Sequence, residues 1–379
     1  MDYQGRLQKF QQHIHNKVDL VFLPISADLF YLTGVPRDMP SFGAVLHPGM
    51  WLEGAWLSPD HPPVLTLPRM TAEFGGLSGL QADLRILGDH DDPATLLRDL
   101  LTGFKLPAKP RIALSDSSRG ETVVGLQKLY PDARFSSATA LLNPLRRIKG
   151  PDEIEVMRRA GVVTETAFAE VLKQLKHGMT ELDIISEVDL QLRRAGAFGP
   201  SFTTSMYNSG PNYRLIFGKR EEKWHRRLDP PVALLFDFGA AFEGYCYDYG
   251  RTVCFGQPDA ELERIYALVM QSQAAGIAAL KVGHTAAQAD AAARAVIEQA
   301  GYGETFRHRL GHAIGLDVHE APFLTATDHT PLEVGMLFTS EPSITQFHTF
   351  SARVEDVVVV GESGGQPLTS AFQSLIVVD

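Results

Sequence analysis

The stretch FDFGAAFEGYCYDYGRT, residues 236–252, sets Asp237 and Asp248 among aromatic and small apolar residues. A carboxylate in such a strand costs several kcal/mol unless it is paired or bound to a cation. A turn centred on Ala241–Gly244 makes the stretch a hairpin and places the two aspartates opposite each other on one face. Their Cα atoms would then stand roughly 5 Å apart. Like charges directly opposite destabilise a sheet, and a divalent cation between them removes the objection. A wet hairpin, or an aspartate bonded to a turn amide, is the plainer explanation of such acids. The crowd of Phe236, Phe238, Tyr245, Tyr247 and Tyr249 argues against it.

Further along, VGMLFTSEPSI and ARVEDVVVVG read as a second strand pair carrying the longer acids Glu341 and Glu355. By the period of two, Glu355 shares its face with Arg353 and Val357, and Asp356 points the other way. Arg353 is thereby placed to bond and orient the carboxylates or to form a buried ion pair, whereas Asp356 reads as structural. Between the acid hairpins lies GHAIGLDVHEAP, residues 311–322, with His312 and His319 among glycines that allow close approach of backbone and ligand. A lone histidine is more often a satisfied core residue, but two in this context point to chemistry. The other eleven histidines have no such context. Cys246 and Cys254 share strand parity with Asp248 and read as packing residues, because hard ligands already fill the site.

Four carboxylates and one imidazole make a hard, oxygen-rich set that suits Mn²⁺ or Co²⁺, and also Zn²⁺ or Fe²⁺. Five protein groups suit two ions with bridging carboxylates, roughly 3.5 Å apart, sharing a hydroxide. Such a centre polarises a carbonyl and lowers the pKa of water, which is hydrolytic chemistry.

The acid hairpins belong to a larger echo. Helical spacing runs from about 151 to 177 through Ile154, Met157, Gly161, Phe168, Val171, Leu172 and Leu175. A second helix, TELDIISEVDLQLRRAG, starts from an N-cap at Thr180 and stops at Gly196. The order helix, helix, hairpin then recurs, with helices at about 259–281 and in TAAQADAAARAVIEQAG. The part before residue 143 reads as a small α/β domain. VDLVFLP, FGAVLHP and ARFSS are its strands, LQKFQQHIHN and DPATLLRDLLTGF its helices, and DHPPVLTLP a loop feeding a short strand. NPLRRIKGPDEIEVMRRAG is the junction, and the expected domains are 1–143 and 144–379.

The whole chain fits an ordinary globular composition: 379 residues, 44% hydrophobic and 21% charged. Its net charge of −10 argues against a general nucleic-acid binder. No apolar run approaches membrane-spanning length. The polar start MDYQGRLQKFQQHIHNK lacks the apolar core of a signal peptide. Two cysteines imply no disulfide framework, and a cytoplasmic location is the expectation.

These residues resemble the pita-bread metallopeptidases, the group of methionine aminopeptidase, aminopeptidase P and prolidase. The resemblance rests on Asp237, Asp248, His312, Glu341 and Glu355 in order, spacing and local motif. DLFYLTGV (28–35) and LRRIKGPDEIEVMRRA (145–160) resemble motifs of the prolidase and aminopeptidase P branch. The resemblance implies an α/β (α+β) fold: a small N-terminal creatinase-like α/β domain, then a pita-bread catalytic domain with pseudo-two-fold symmetry. It implies a dinuclear-metal peptidase that hydrolyses the Xaa-Pro bond of dipeptides through a metal-bridging hydroxide, with Mn²⁺ expected and Co²⁺ or Zn²⁺ as alternatives. Asp237 would chelate one ion, Asp248 and Glu355 would bridge, and His312 would join Glu341 on the other. Glu341 would also move a proton, and His319 would contact substrate. Small Xaa-Pro peptides and a homodimer are the implied partners. Aminopeptidase P-like action on longer peptides is the nearest alternative, and a creatinase-like C–N hydrolase or a silent binding protein a further one. One departure stands out. A histidine expected near the substrate is replaced by Phe217 in NSGPNYRLIFGKREEKWHRR, and His225 would substitute only if the loop folds back.

Overall fold

The computed structural model describes residues 1–37, 47–75, 77, 82–218 and 220–379. The chain divides into two compact units, Met1–Arg146 and Arg147–Asp379.

The first unit is a six-stranded mixed sheet with helices. Its strands are β1 (Leu20–Pro24), β2 (Gly54–Ser58), β3 (His61–Pro68), β4 (Asp83–Leu87), β5 (Arg111–Leu114) and β6 (Arg134–Ser137). They lie in the order β4-β3-β2-β1-β5-β6. The helices are α1 (Tyr3–Ile14), α2 (Ala27–Thr33), α3 (Arg69–Phe74), α4 (Pro93–Phe104), α5 (Gly120–Leu129) and α6 (Thr139–Arg146). Leu20, Phe22 and Trp56 from the central strands pack with Leu97, Leu100 and Leu101 of α4, and the Phe22 and Trp56 rings stand 4.3 Å apart.

The strands expected in VDLVFLP and ARFSS form as β1 and β6. The expected strand FGAVLHP falls mostly on residues 42–46, outside the described residues, and His47–Pro48 is not strand. DHPPVLTLP, expected to be a loop feeding a short strand, forms the strand β3 from His61 on, so the strand is present and longer than expected. Its prolines sit beside the irregularity at Trp56–Ser58, and regular pairing to β4 begins at Val64. Proline is tolerated at such irregular strand starts, where no ladder donor is required.

The second unit repeats two helices and a strand pair. The first set is α7 (Pro151–Gln174), α8 (Glu181–Arg194), and the strands β7 (Gly199–Pro200), β8 (Ser205–Met206), β9 (Val232–Phe238), β10 (Ala240–Phe242), β11 (Tyr245–Cys246) and β12 (Tyr249–Phe255), with a short helix α9 (Arg220–Trp224). The second set is α10 (Ala260–Ala279), α11 (Ala286–Gln299), β13 (Gly311–Ala313), β14 (Glu320–Leu324), β15 (Leu337–Ser340), β16 (Ser343–Ile344), β17 (Ala352–Arg353) and β18 (Asp356–Val359), followed by β19 (Gln366–Pro367) and β20 (Ile376–Val378). The sheets β20-β12-β9-β8 and β14-β13-β15-β18-β19 are joined by the bridge Gly250↔Glu355. Thr180 and Thr285 cap α8 and α11 with reciprocal side-chain bonds to Asp183 and Gln288, which satisfies amides that a helix start leaves unpaired.

The first acid hairpin turns at Glu243–Gly244, both with positive φ, as a two-residue hairpin turn requires. Asp237 therefore pairs with Gly250 rather than with Asp248. By the same register Asp248 falls opposite Gly239. The expected centre was one position too early, which shifts each partner by two and leaves both aspartates on the same face. In the second set, Ser340↔Asp356 and Ser343↔Arg353 set Glu341 directly across from Glu355.

Candidate metal centre

Asp237 near the end of β9, Asp248 just before β12, His312 on β13 and the facing Glu341 and Glu355 converge at one cavity of about 930 Å³. Glu355 lies beneath its surface, fully buried. Ligand atoms of Asp248, His312 and Glu355 lie within 4.8 Å of one another. His312 Nε2 stands 3.6 Å from Asp248 Oδ2 and 3.6 Å from Glu341 Oε1.

His312 Nδ1 faces the carbonyl oxygen of Ala313 at 3.1 Å. A carbonyl only accepts, so Nδ1 carries the proton and Nε2 offers its lone pair to the carboxylates. Burial, helped by His319, pushes the imidazole pKa down to about 3. It is neutral at physiological pH.

Burial raises the pKa of Asp248, with Asp237 and Glu341 adding repulsion. Burial also raises that of Glu355, against the pull of Arg353. Glu341 is pushed up to about 7, again by burial opposed by Arg353. Among the described residues, Arg353 is the one cation bonded to these carboxylates. It reaches Asp237 Oδ2 at 2.8 Å and Glu341 Oε2 at 2.9 Å, and it also bonds Glu355. One guanidinium against four carboxylates leaves the cluster short of positive charge. Asp248 Oδ1 and Glu355 Oε1 are buried with no hydrogen-bond partner. Orphaned carboxylate oxygens, a neutral imidazole aimed at them and excess negative charge together fit divalent cations.

His319 lines the cavity, its ring centroid 4.0 Å from that of His312. Its loop is held from behind. Glu320 Oε1 accepts the amides of Leu316 and Asp317, and Glu320 Oε2 takes the buried Lys149 ammonium at 2.9 Å. Lys149 belongs to the junction motif, whose Glu153 also accepts the Tyr245 hydroxyl next to the hairpin turn. A second buried network joins the two acid hairpins. Arg251 donates to the Glu355 carbonyl and to Asp356, and Gln273 links Asp356 to the carbonyl of Ser340, one residue before Glu341. Asp356 points away from the cluster, as its parity requires.

Cys246 and Cys254 are buried, bond backbone carbonyls and do not line the cavity. Neither does the exposed His225. Phe217 does, with its ring 5.2 Å from that of Tyr207. Among the lining residues that sequence reasoning missed are Tyr207, His308 and Arg309. His308, set aside with the other histidines, bonds Ser343 Oγ and the Arg309 carbonyl. Arg309 lies over Phe323 at 4.6 Å, and among the described residues its guanidinium has no hydrogen bond or carboxylate partner. The signal for both was their place two and three positions before the Gly311-His312 pair.

A profile of metallopeptidase family M24 matches residues 155–362. The chain belongs to family M24. An Xaa-Pro dipeptidase of Lactobacillus delbrueckii subsp. lactis is 30% identical over 98% of this chain and 98% of its own length. Among solved structures, the prolidase of Thermococcus sibiricus covers all of both chains with a TM-score of 0.88 at 26% identity. The X-Pro aminopeptidase of Thermotoga maritima has a TM-score of 0.83 at 26% identity, covering 98% of this chain and 99% of its own. The chain is thus a peptidase hydrolase with the two-domain pita-bread fold, of a family that works with divalent metal ions. No helix among the described residues is long and apolar enough to cross a membrane.

Proposed function

We propose that this M24 peptidase hydrolyses the Xaa-Pro bond of dipeptides at a dinuclear centre held by Asp237, Asp248, His312, Glu341 and Glu355. The observation that carries the reading is the cluster of Asp248, His312 and Glu355 at the floor of a peptide-sized cavity. Asp248 and Glu355, each with an orphaned oxygen, would be shared between the ions. Asp237 would help hold one ion, and His312 with Glu341 the other. Mn²⁺ is the first candidate for this oxygen-rich set, ahead of Co²⁺ and Zn²⁺. When bound, the ions supply Lewis acidity and a more acidic water.

The chain's own groups do the rest. Glu341 is the carboxylate proposed to take a proton from the attacking water and hand it to the departing imino nitrogen. His319, beside His312, hydrogen-bonds the substrate carbonyl region. Arg353 holds the carboxylates in place. Arg309 favours dipeptides over longer chains, because among the described residues it is the cavity cation left to pair with a free carboxylate after proline. The name of the Lactobacillus relative supports this reading, and that of the Thermotoga aminopeptidase supports the alternative of longer peptides. The first unit is proposed as the creatinase/prolidase-like domain, the assembly as a homodimer and the location as the cytoplasm.

The test is to load the protein with Mn²⁺, then Co²⁺ and Zn²⁺, and offer Xaa-Pro dipeptides, Xaa-Pro-Yaa tripeptides and creatine. Dipeptide cleavage is expected. Cleavage of tripeptides alone moves the assignment to aminopeptidase P, and no cleavage of any proline peptide with all three metals refutes it.

A further inference from the structure

The residue at the expected substrate histidine is Phe217, which has no hydrogen to donate, and His225 lies away from the cavity. The wall on that side offers another group. Strand β8 runs antiparallel to β9 with Ser205 opposite Asp237 and Met206 opposite Phe236, and the Tyr207 amide donates to the Leu235 carbonyl at 3.0 Å. Side chains alternate along a strand, so Ser205 and Tyr207 share the face of Asp237 and Leu235. All four line the cavity, while Met206 and Phe236 are buried behind them. The Tyr207 ring is fixed by its neighbours. Phe217 stacks on it, and the Lys223 ammonium stands 4.9 Å from its centroid while donating to the Met206 carbonyl.

We propose that Tyr207 is a catalytic residue of this site, its phenol donating a hydrogen bond to the scissile carbonyl oxygen as that oxygen gains negative charge. The assignment rests on the peptidase reading of the same cavity. The phenol keeps its proton throughout, so no bond to it is made or broken. Burial, with Asp237 adding to it, keeps the phenol above its ordinary pKa, so the donor is present at all physiological pH. His319 approaches from the side of His312 and Tyr207 from the side of Asp237. A tetrahedral carbon between them would find donors on both walls. Phe217 then acts as the support that holds the Tyr207 ring.

Tyr207→Phe deletes one oxygen and leaves the ring contacts intact. On metal-loaded protein with an Xaa-Pro dipeptide, kcat is expected to fall about 10²–10³-fold, as for loss of one oxyanion donor. KM and the number of ions per chain should stay near wild type. A phosphinic analogue of the dipeptide, measured by calorimetry, should lose affinity by a similar factor. Unchanged kcat, a raised KM at unchanged kcat, or fewer ions per chain each overturns this assignment alone. A wild-type chain that cleaves no proline peptide overturns the functional reading and this assignment together.

Discussion

Replacing Arg251 by methionine tests whether the two acid hairpins are held together by one buried cation. The guanidinium is nearly inaccessible and donates five hydrogen bonds: to the carbonyls of Gly250, Glu355, Ala371 and Phe372, and to Asp356 Oδ1 at 2.6 Å. Its removal strands Asp356, which is 1% exposed and keeps only the Gln273 amide. Breaking a buried pair from one side costs about 3–5 kcal/mol. For a unit of this size each kcal/mol moves Tm by about 2–4 °C, so metal-free Arg251→Met should melt roughly 6–20 °C below wild type. Adding Asp356→Leu removes the uncompensated charge and should restore most of that loss. Metal affinity should remain about 10–100-fold weaker in the double variant, because the tie to the Glu355 backbone is still gone. Scanning calorimetry on the metal-free proteins and competition with a chelating dye measure the two effects. A single variant within about 2 °C of wild type, or a double variant no more stable than the single, refutes the reasoning.

Asp248→Ala should bind fewer than two ions per chain by elemental analysis, and retention of both contradicts its bridging role. Metal binding should be pH-linked. In the metal-free chain, Glu341 has a folded pKa of about 7, above its ordinary 4.5, so its contribution to stability is fully present below 4.5 and lost as pH rises through 7. Bound metal needs the ionised form. The Tm gap between metal-loaded and chelator-treated protein should therefore widen from pH 5.5 to 8, and a constant or shrinking gap counts against it. Arg309→Met should raise KM for an Xaa-Pro dipeptide about tenfold or more while leaving its carboxamide nearly unaffected. Equal effects on both would remove Arg309 as the carboxylate partner.

Much of the site was legible because its spacing is local. Glu341 and Glu355 fall opposite each other between two short ladders of one register, and His312 and His319 share one glycine-bearing stretch. The first hairpin was legible in parity but not in register. The sequence permits several turn positions, and the positive φ of Glu243 and Gly244 decides among them. In the first unit, the length of β3 was obscured by its leading prolines, and β2, β4 and β5 are too short and too little alternating to stand out. Tyr207 and Arg251 were not legible at all, and Arg309 only by its place beside the Gly311-His312 pair. Their meaning comes from what they meet: a cavity wall, an aromatic face, a backbone carbonyl one hairpin away. Composition and spacing carry no record of such long-range meetings.

Gly250 has a larger consequence than its size suggests. A side chain there would bring its Cβ to 3.0 Å from Glu355 Cβ and 3.1 Å from Glu355 Oε2. The two repeats meet backbone to backbone at this point, and the acids they exchange come from both. The groups of the cluster are divided between the repeats: Asp237 and Asp248 lie in one, and His312, Glu341 and Glu355 in the other. Any ion bound between them adds its binding free energy to their docking. On the proposed ligand set the cofactor would also be a fastener, and a chelator would loosen one seam of this chain as well as inhibit a reaction.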